Sequence, residues 1–361
     1  MNRKRVTIKD VAARAGVSIA TVSNVFSGTK PVNQDLRERV EKAARELSYQ
    51  LDRAASQLRS GQARVVGVLV PDLDDVFFTS LVSRIEVMAM KDGYDVIVAS
   101  SRDDVELEQS RLRALLGWRP SGLIAVPCSD VAPALLRNEA DLLPMVFADR
   151  VAPEGSFVDT VAIDNHEAGE IAARHLIELG HREIVLAASS LEISPIRERV
   201  RGVSEMMHKA IGVAPVVLEL TSNGERGTEI FSSWLERNAR PCAVIGLTNV
   251  TTLSALSALA RHRIDIPDPV SVIGFDDYPW MSARKTALTA IRQPIEEMAG
   301  VIWERLSKRM SGDRSPPCPT VLKTSLQVRD SVRAVIGRQP PEGRQHASSA
   351  STVAETLKAT Q

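Results

Sequence analysis

The side chains best suited to catalysis are scattered through this sequence rather than grouped. Its six histidines stand at 166, 175, 181, 208, 262 and 346, and none belongs to an HExxH metal motif. There is no GxSxG nucleophile elbow and no Gly-rich phosphate loop of the GxxxxGK type. Carboxylates gather at Asp72-Leu-Asp-Asp75 and at Asp103-Asp104, where neighbouring acids could share a proton or hold a cation. Solvated loop carboxylates are the commoner outcome and the one expected. Cys128, Cys242 and Cys318 are far apart, odd in number and free of CxxC spacing, which points to buried thiols in a reducing compartment. No catalytic set, no metal site and no cofactor is therefore expected. The chemistry that remains is recognition by hydrogen bonds and charge.

Charge is distributed unevenly. The 361 residues carry 45 Lys/Arg and 45 Asp/Glu, yet residues 1–60 hold 12 basic against 6 acidic side chains. A small basic head on an acidic body suits a nucleic-acid module joined to a separate soluble domain. A chain of this length suits two or three domains. Its 44% hydrophobic and 25% charged composition is that of a folded protein. The start, Met-Asn-Arg-Lys-Arg, leads into a polar helix with no apolar core of a signal peptide. No run approaches the length of a membrane span, so a cytoplasmic location without membrane contact is expected.

The head reads as three short helices. Thr7-Ile-Lys-Asp10 is a variant capping box, and Ile8, Val11, Ala12 and Ala15 then recur on one helical stripe. Gly16 stands where a left-handed residue would end that helix, with Val17 to plug the turn. Ser18 caps a second helix whose inward face is Val22, Val25 and Phe26. Leu36, Val40, Ala43, Ala44 and Leu47 form the inner face of a third. Two helices joined by a three-residue turn make a helix-turn-helix. In that motif the start of the second helix enters the major groove. Here it offers Ile19, Ala20, Ser23 and Asn24 to bases, with Thr21 and Asn33 in reach of phosphates. Thr7, Ser18 and Arg37 complete the candidate DNA-facing set. A small helical bundle with solvated polar faces is the alternative.

In the body, β-branched runs alternate with helical stretches. Strands are expected at 65–70, 95–99, 123–126 and 145–147, then near 184–188, 216–220, 243–246 and 271–275. Helices are expected around 78–92, 106–116 and 131–140, then near 167–179, 197–210, 227–238 and 251–262. Such alternation gives parallel sheets covered on both faces. Two runs of it imply two doubly wound subdomains, with ligand at the carboxyl ends of the strands.

The unbroken string Thr7-Ile-Lys-Asp-Val-Ala-Ala-Arg-Ala-Gly-Val-Ser-Ile-Ala-Thr-Val-Ser-Asn-Val-Phe26 closely resembles the head of the lactose-repressor/galactose-repressor (LacI/GalR) family. Val32-Asn33, Arg37-Glu-Arg-Val40 and Leu47-Ser-Tyr49 continue it. In the body, Val70-Pro71-Asp72, Val161-Ala-Ile-Asp164-Asn165, Ile273-Gly274-Phe275-Asp276-Asp277 and Gln293-Pro294 look like that family's landmarks. The resemblance implies a head at 1–50 and a hinge helix at 51–62. It also implies a sensing and dimerising body at 63–335, similar to periplasmic sugar-binding proteins. One subdomain would be 63–161 with 292–322, the other 162–291 with 323–335. The hinge would place Leu58 as a wedge in the minor groove, with Ala55 letting two hinge helices approach; an ordinary linker leucine is the alternative reading of Leu58.

The same resemblance nominates an effector cleft. Phe77 and Asp149 would face it from one subdomain, and Arg199, Thr248 and Asp276 from the other. Asp and Arg suit vicinal hydroxyls, because each makes two directed hydrogen bonds. Trp280 could stack on a sugar face or simply pack on the surface. Asp149-Arg150 could instead be a structural ion pair. Departures from the family pattern are Asn24 for its usual Arg, Leu51-Asp52 for Pro-Asn, Asp75-Val76 for Asn-Pro, and Thr248-Asn249 for Asn-Asp. From Gln339 the chain is rich in Pro, Ser, Ala, Gln and Thr, and residues 336–361 are expected to be a disordered tail. The implied function is a repressor of transcription, binding pseudo-palindromic operator DNA as a homodimer under control of a sugar or sugar derivative. A small-molecule binding protein without DNA regulation is the alternative.

Overall fold

Each helix of the head begins at a polar cap. The structure, a computed structural model, describes residues 6–27, 31–47, 49, 64–150 and 156–335. The Asp10 carboxylate accepts the Thr7 amide at 2.8 Å and the Thr7 hydroxyl at 2.7 Å, opening α1 (Ile8–Ala15). Gly16 closes α1 at φ 63°, a left-handed conformation that costs a residue without Cβ nothing. Ser18 Oγ accepts the Thr21 amide at 3.0 Å at the start of α2 (Ile19–Ser27). The Asn33 amide oxygen accepts the Asp35 N–H at 3.0 Å at the start of α3 (Gln34–Glu46).

The core of the head is small. Val11, Val22, Val25 and Val40 are buried among four alanines, with Phe26 and Tyr49 half-buried at its edge. Fully burying a valine contributes ~1.5–3 kcal/mol, so this unit depends on very few side chains. Leu36 is only half-buried and stands outside that cluster, contrary to the stripe read from the sequence. Arg39 supplies a tie of another kind. Its guanidinium donates to the Ala15 carbonyl at 2.8 Å and the Gly16 carbonyl at 3.3 Å, fastening α3 to the open end of α1.

The body opens with β1 (Val65–Val70), α4 (Val76–Lys91), β2 (Asp95–Ser100), α5 (Val105–Gly117), β3 (Gly122–Ala125), α6 (Ala134–Glu139), β4 (Met145–Ala148) and β5 (Asp159–Ile163). It then crosses to α7 (Asn165–Glu178), β6 (Ile184–Ala188), α8 (Ser194–Ile211), β7 (Val216–Glu219), α9 (Gly224–Arg237), β8 (Ala243–Gly246), α10 (Asn249–Arg261), β9 (Ser271–Phe275), α11 (Pro279–Ser282) and β10 (Thr289–Arg292). It returns through α12 (Ile295–Met310) and β11 (Pro319–Leu322), and crosses a last time to β12 (Ser325–Gln327).

Two sheets result, ordered β11-β5-β4-β3-β1-β2 and β12-β10-β9-β8-β6-β7. All pairings are parallel except β12 with β10. The inner strands β1, β4, β6, β8 and β9 are buried at every position, as expected of a parallel sheet with helices on both faces. Four strands, β5, β10, β11 and β12, were not among those read from sequence. They are three to five residues long, and β11 and β12 leave most residues at least partly exposed. The first sheet also reaches Ile163, past the boundary at 161. No helix among the described residues is long and apolar enough to cross a membrane.

The two sheets are joined by three crossings, after β5, after β10 and after β11. Helices α7 and α8 pack with almost no space between their backbones. A Cβ on Gly169 would lie 2.2 Å from the Arg199 carbonyl oxygen, and one on Gly202 would lie 2.1 Å from that of His166. The first half of α8, which carries Arg199, is thereby set against the rest of its subdomain.

Candidate functional site

A cavity of about 270 Å³ lies between the two sheets, at the carboxyl ends of their strands. The loop after β1 contributes Asp72 and Asp75, and the loop after β4 contributes Asp149. Across from them stand Thr248 after β8, Asp276 after β9 and Arg199 on α8. Strand order reverses at β1 and at β6, so the loops there splay apart and leave a crevice. Asp149 at φ 65° and Asp276 at φ 80° are left-handed, although neither is glycine. Such strain persists where the surrounding structure fixes the backbone, and here it turns two carboxylates into one space.

Arg199 is the centre of the charged cluster. It is 3% exposed, donates Nε to the Asn165 side-chain oxygen at 2.9 Å and Nη1 to the Leu247 carbonyl at 2.6 Å. Its guanidinium lies 3.7 Å from the centroid of the Phe275 ring, within cation–π range. Burial pushes its pKa down, while Asp276, Asp149 and Asp75 oppose that shift. The Asp276 carboxylate accepts the Asn249 amide at 3.1 Å and the Gln293 Nε2 at 2.6 Å. Burial raises the carboxyl groups of Asp149 and Asp276, and Arg199 pulls both back. Asp75 caps α4 by accepting the Phe77 amide at 2.8 Å. Burial, with the nearby carboxylates of Asp276 and Asp149, pushes its pKa from 3.8 to about 7.

Of the residues nominated for the cleft, Phe77, Asp149, Arg199, Thr248 and Asp276 all line this cavity. Phe77 is buried with its ring edge-on to Phe78, centroids 5.1 Å apart. The Thr248 hydroxyl caps α10 by accepting the Thr251 amide at 3.1 Å. Trp280 does not line it. Its side chain, half-buried at the start of α11, packs against the main core instead.

Arg150 pairs with Asp103 rather than with Asp149, since the left-handed turn at Asp149 separates the two neighbours. Asp75 and Asp103 also line the cavity, so the acidic loops are not merely solvated. Asp104, in contrast, caps α5 by accepting the Leu107 amide at 2.8 Å. The three cysteines are free and half-buried, not fully buried. Gln293 and the Asp130–Arg197 pair were missed. The Gln293-Pro294 landmark was a usable signal for the first; the pair had none, because its members come from different subdomains.

At the head, Ile19 is 43% exposed and Ala20 is exposed beside it at the start of α2, while Thr21, Ser23 and Asn24 are half-buried. An isoleucine left that open at a helix start is available to an apolar contact such as a thymine methyl. Thr7, Ser18 and Asn33 are exposed and act as caps, and Arg37 is half-buried on α3. Ala55 and Leu58, with the rest of 51–62 and the tail 336–361, lie outside the described residues.

Comparison with known proteins adds to this geometry. Residues 7–52 match the family described as bacterial regulatory proteins, lacI family, and residues 173–332 match the periplasmic binding protein-like domain. The HTH-type transcriptional repressor PurR of Vibrio atlanticus (strain LGP32) is 31% identical over 309 residues, covering 84% of this chain and 92% of that protein. The lac repressor dimer bound to operator and the anti-inducer ONPF superposes with a TM-score of 0.79 at 27% identity, over 92% of this chain and all (100%) of that one. The transcriptional regulator CelR in complex with cellobiose gives 0.66 at 27% identity, over 91% and 100% of the two chains.

Proposed function

The chain belongs to the lacI family of bacterial regulatory proteins, and from that premise we propose that it represses transcription by an operator grip that a small molecule adjusts. The observation carrying this reading is a cavity walled from both sides, by Phe77 and Asp149 and by Arg199 and Asp276, on the same chain as a helix-turn-helix. A ligand touching both walls favours one angle between the subdomains. It can change DNA affinity only through its preference for that angle, typically by about 1–3 kcal/mol.

The lac repressor that superposes on this chain is a dimer on its operator, and CelR holds cellobiose. By analogy this chain acts in the cytoplasm as a homodimer on a pseudo-palindromic operator. Ile19, Ala20, Ser23 and Asn24 read bases, while Thr7, Ser18, Thr21, Asn33 and Arg37 meet the backbone. Ala55 and Leu58 act in the hinge, Leu58 as the minor-groove wedge. Phe77, Asp149, Arg199, Thr248 and Asp276 hold a sugar or sugar derivative.

A thermal-shift screen of sugars and derivatives, followed by operator titration with and without each binder, tests the proposal. A stabilising ligand that moves operator affinity is the expected result. Binders that all leave operator affinity unchanged would overturn the regulatory reading.

A further inference from the structure

The charge of the cavity is strongly one-sided. Six carboxylates, those of Asp72, Asp74, Asp75, Asp103, Asp149 and Asp276, line it against the two guanidiniums of Arg150 and Arg199. Both guanidiniums already have protein partners. Arg150 is paired with Asp103. Arg199 already donates to Asn165 at 2.9 Å and to the Leu247 carbonyl at 2.6 Å, with its face against Phe275.

Among the uncharged lining, the hydroxyls of Ser189, Ser222 and Thr248 can donate or accept, and one amide adds an unpaired acceptor. Gln293 is 4% exposed and lines the cavity. Its Nε2 donates to Asp276 at 2.6 Å, which fixes the amide's orientation and leaves Oε1 buried with no hydrogen-bond partner. Carboxylates accept and cannot donate when ionised, and an amide oxygen only accepts. A wall rich in acceptors and negative charge is completed by a ligand rich in donors and positive charge. Leaving such acceptors unpaired is costly, so the ligand's donors decide between candidates.

We propose that the effector is a small polyhydroxylated amine, bound as its ammonium beside Asp75, Asp149 and Asp276, and that phosphorylated and carboxylated sugars are rejected. The assignment rests on reading this cavity as the effector site. Hydroxyl groups donate to the carboxylates and to Gln293 Oε1, and the ammonium offsets charge that the two engaged guanidiniums do not. Burial is the main cause that lifts the Asp75 carboxyl to about 7, and repulsion from Asp276 and Asp149 adds to it; a bound cation relieves that repulsion and a bound anion deepens it.

The test is calorimetric titration at neutral pH with matched sets: glucosamine, glucose, glucuronate and glucose 6-phosphate, then the corresponding galactose set and the amino, neutral and acid forms of a pentose. Within the set that binds, the amine should be at least about tenfold tighter than its neutral parent, and the acid and phosphate should give no saturable heat. Asp75→Asn should remove most of that preference for the amine. A phosphate or uronic acid binding tightest, an amine no better than its parent, or no amine saturating at millimolar concentration would each overturn the assignment. Operator titration of the same complexes separates the two readings. An amine that fills the cleft without moving operator affinity tells against the regulatory role and leaves the ligand class standing. An acid that moves operator affinity does the reverse.

Discussion

The Arg199 carbonyl oxygen lies 2.2 Å from the place a Cβ on Gly169 would take. Helix α8 is therefore seated against α7 at the point where it holds the guanidinium that lines the cleft. Backbone rather than a flexible side chain occupies the space, so the contact cannot relax cheaply. Gly169→Ala should cost about 1–3 kcal/mol or more, as overpacking does, and should weaken ligand binding by displacing Arg199. Denaturant unfolding and a ligand titration of the variant check this. Unchanged stability and affinity would show that α8 is free to move.

Asp75→Asn should stabilise the protein at alkaline pH. Asparagine is as good a helix cap, so the hydrogen bond to the Phe77 amide at 2.8 Å can be kept while the charge is removed. The sign follows from the folded carboxyl being raised from 3.8 to about 7. Between those values the folded state holds a proton that the unfolded state has lost, so Asp75's contribution is full below 3.8 and disappears as pH rises through about 7. Because Asp75 is partly exposed, the full shift is discounted for solvent screening. A gain in Tm of ~2–4 °C at pH about 8, shrinking toward zero on acidification, is the expected outcome, corresponding to ~1 kcal/mol. A gain independent of pH would point to capping alone.

The subdomains are also clasped away from the crossings. Asp130, in the loop after β3, pairs with Arg197 on α8 and accepts the Ser194 amide at 3.1 Å. Both partners hold its carboxyl below the usual range. Asp130→Ala should loosen the cleft and speed ligand release severalfold with little loss of global stability, since partly exposed pairs are worth about 0–1 kcal/mol. Stopped-flow displacement reads the release rate directly. An unaltered rate would mean the clasp does not govern closure.

In the head, Arg39→Ala should melt the helix-turn-helix at lower temperature than wild type. Two carbonyls at the end of α1 would lose the donor that reaches them at 2.8 and 3.3 Å. A loss of about 1.5–3 kcal/mol is expected for a charged hydrogen-bond donor. Operator affinity should fall with it, although Arg39 is not nominated to touch DNA. Heteronuclear spectra of the head should show weakened amide protection at Gly16 and Val17. If DNA affinity falls while those amides stay protected, Arg39 contacts the phosphates instead.

Much of this architecture was legible from local patterns. Caps such as Thr7 and Ser18 announced the first two helices of the head, and Gly16 announced the turn. Most strands that were read have every residue buried, because burial on both faces writes an unbroken apolar run. β2 and β7, partly exposed at the sheet edges, were read as well, and β5, buried but interrupted by Asp159 and Thr160, was not. β11 and β12 carry no such run. Their pairing with β5 and β10 comes from distant segments, so nothing local marks them.

The sequence by itself determined the helix-turn-helix and the paired α/β layers, because each depends on periodicity, and its resemblance to a known family nominated five members of the cleft. Only the tertiary structure decided how those members are used. It turned Arg150 toward Asp103, packed a half-buried Trp280 against the core, and brought Asp75 beside Asp276, a residue from the other subdomain. Charges from segments two hundred residues apart interact only once the chain has folded. The acidity of the cleft is therefore a property of the fold, and composition, balanced at 45 charges of each sign, gives no hint of it.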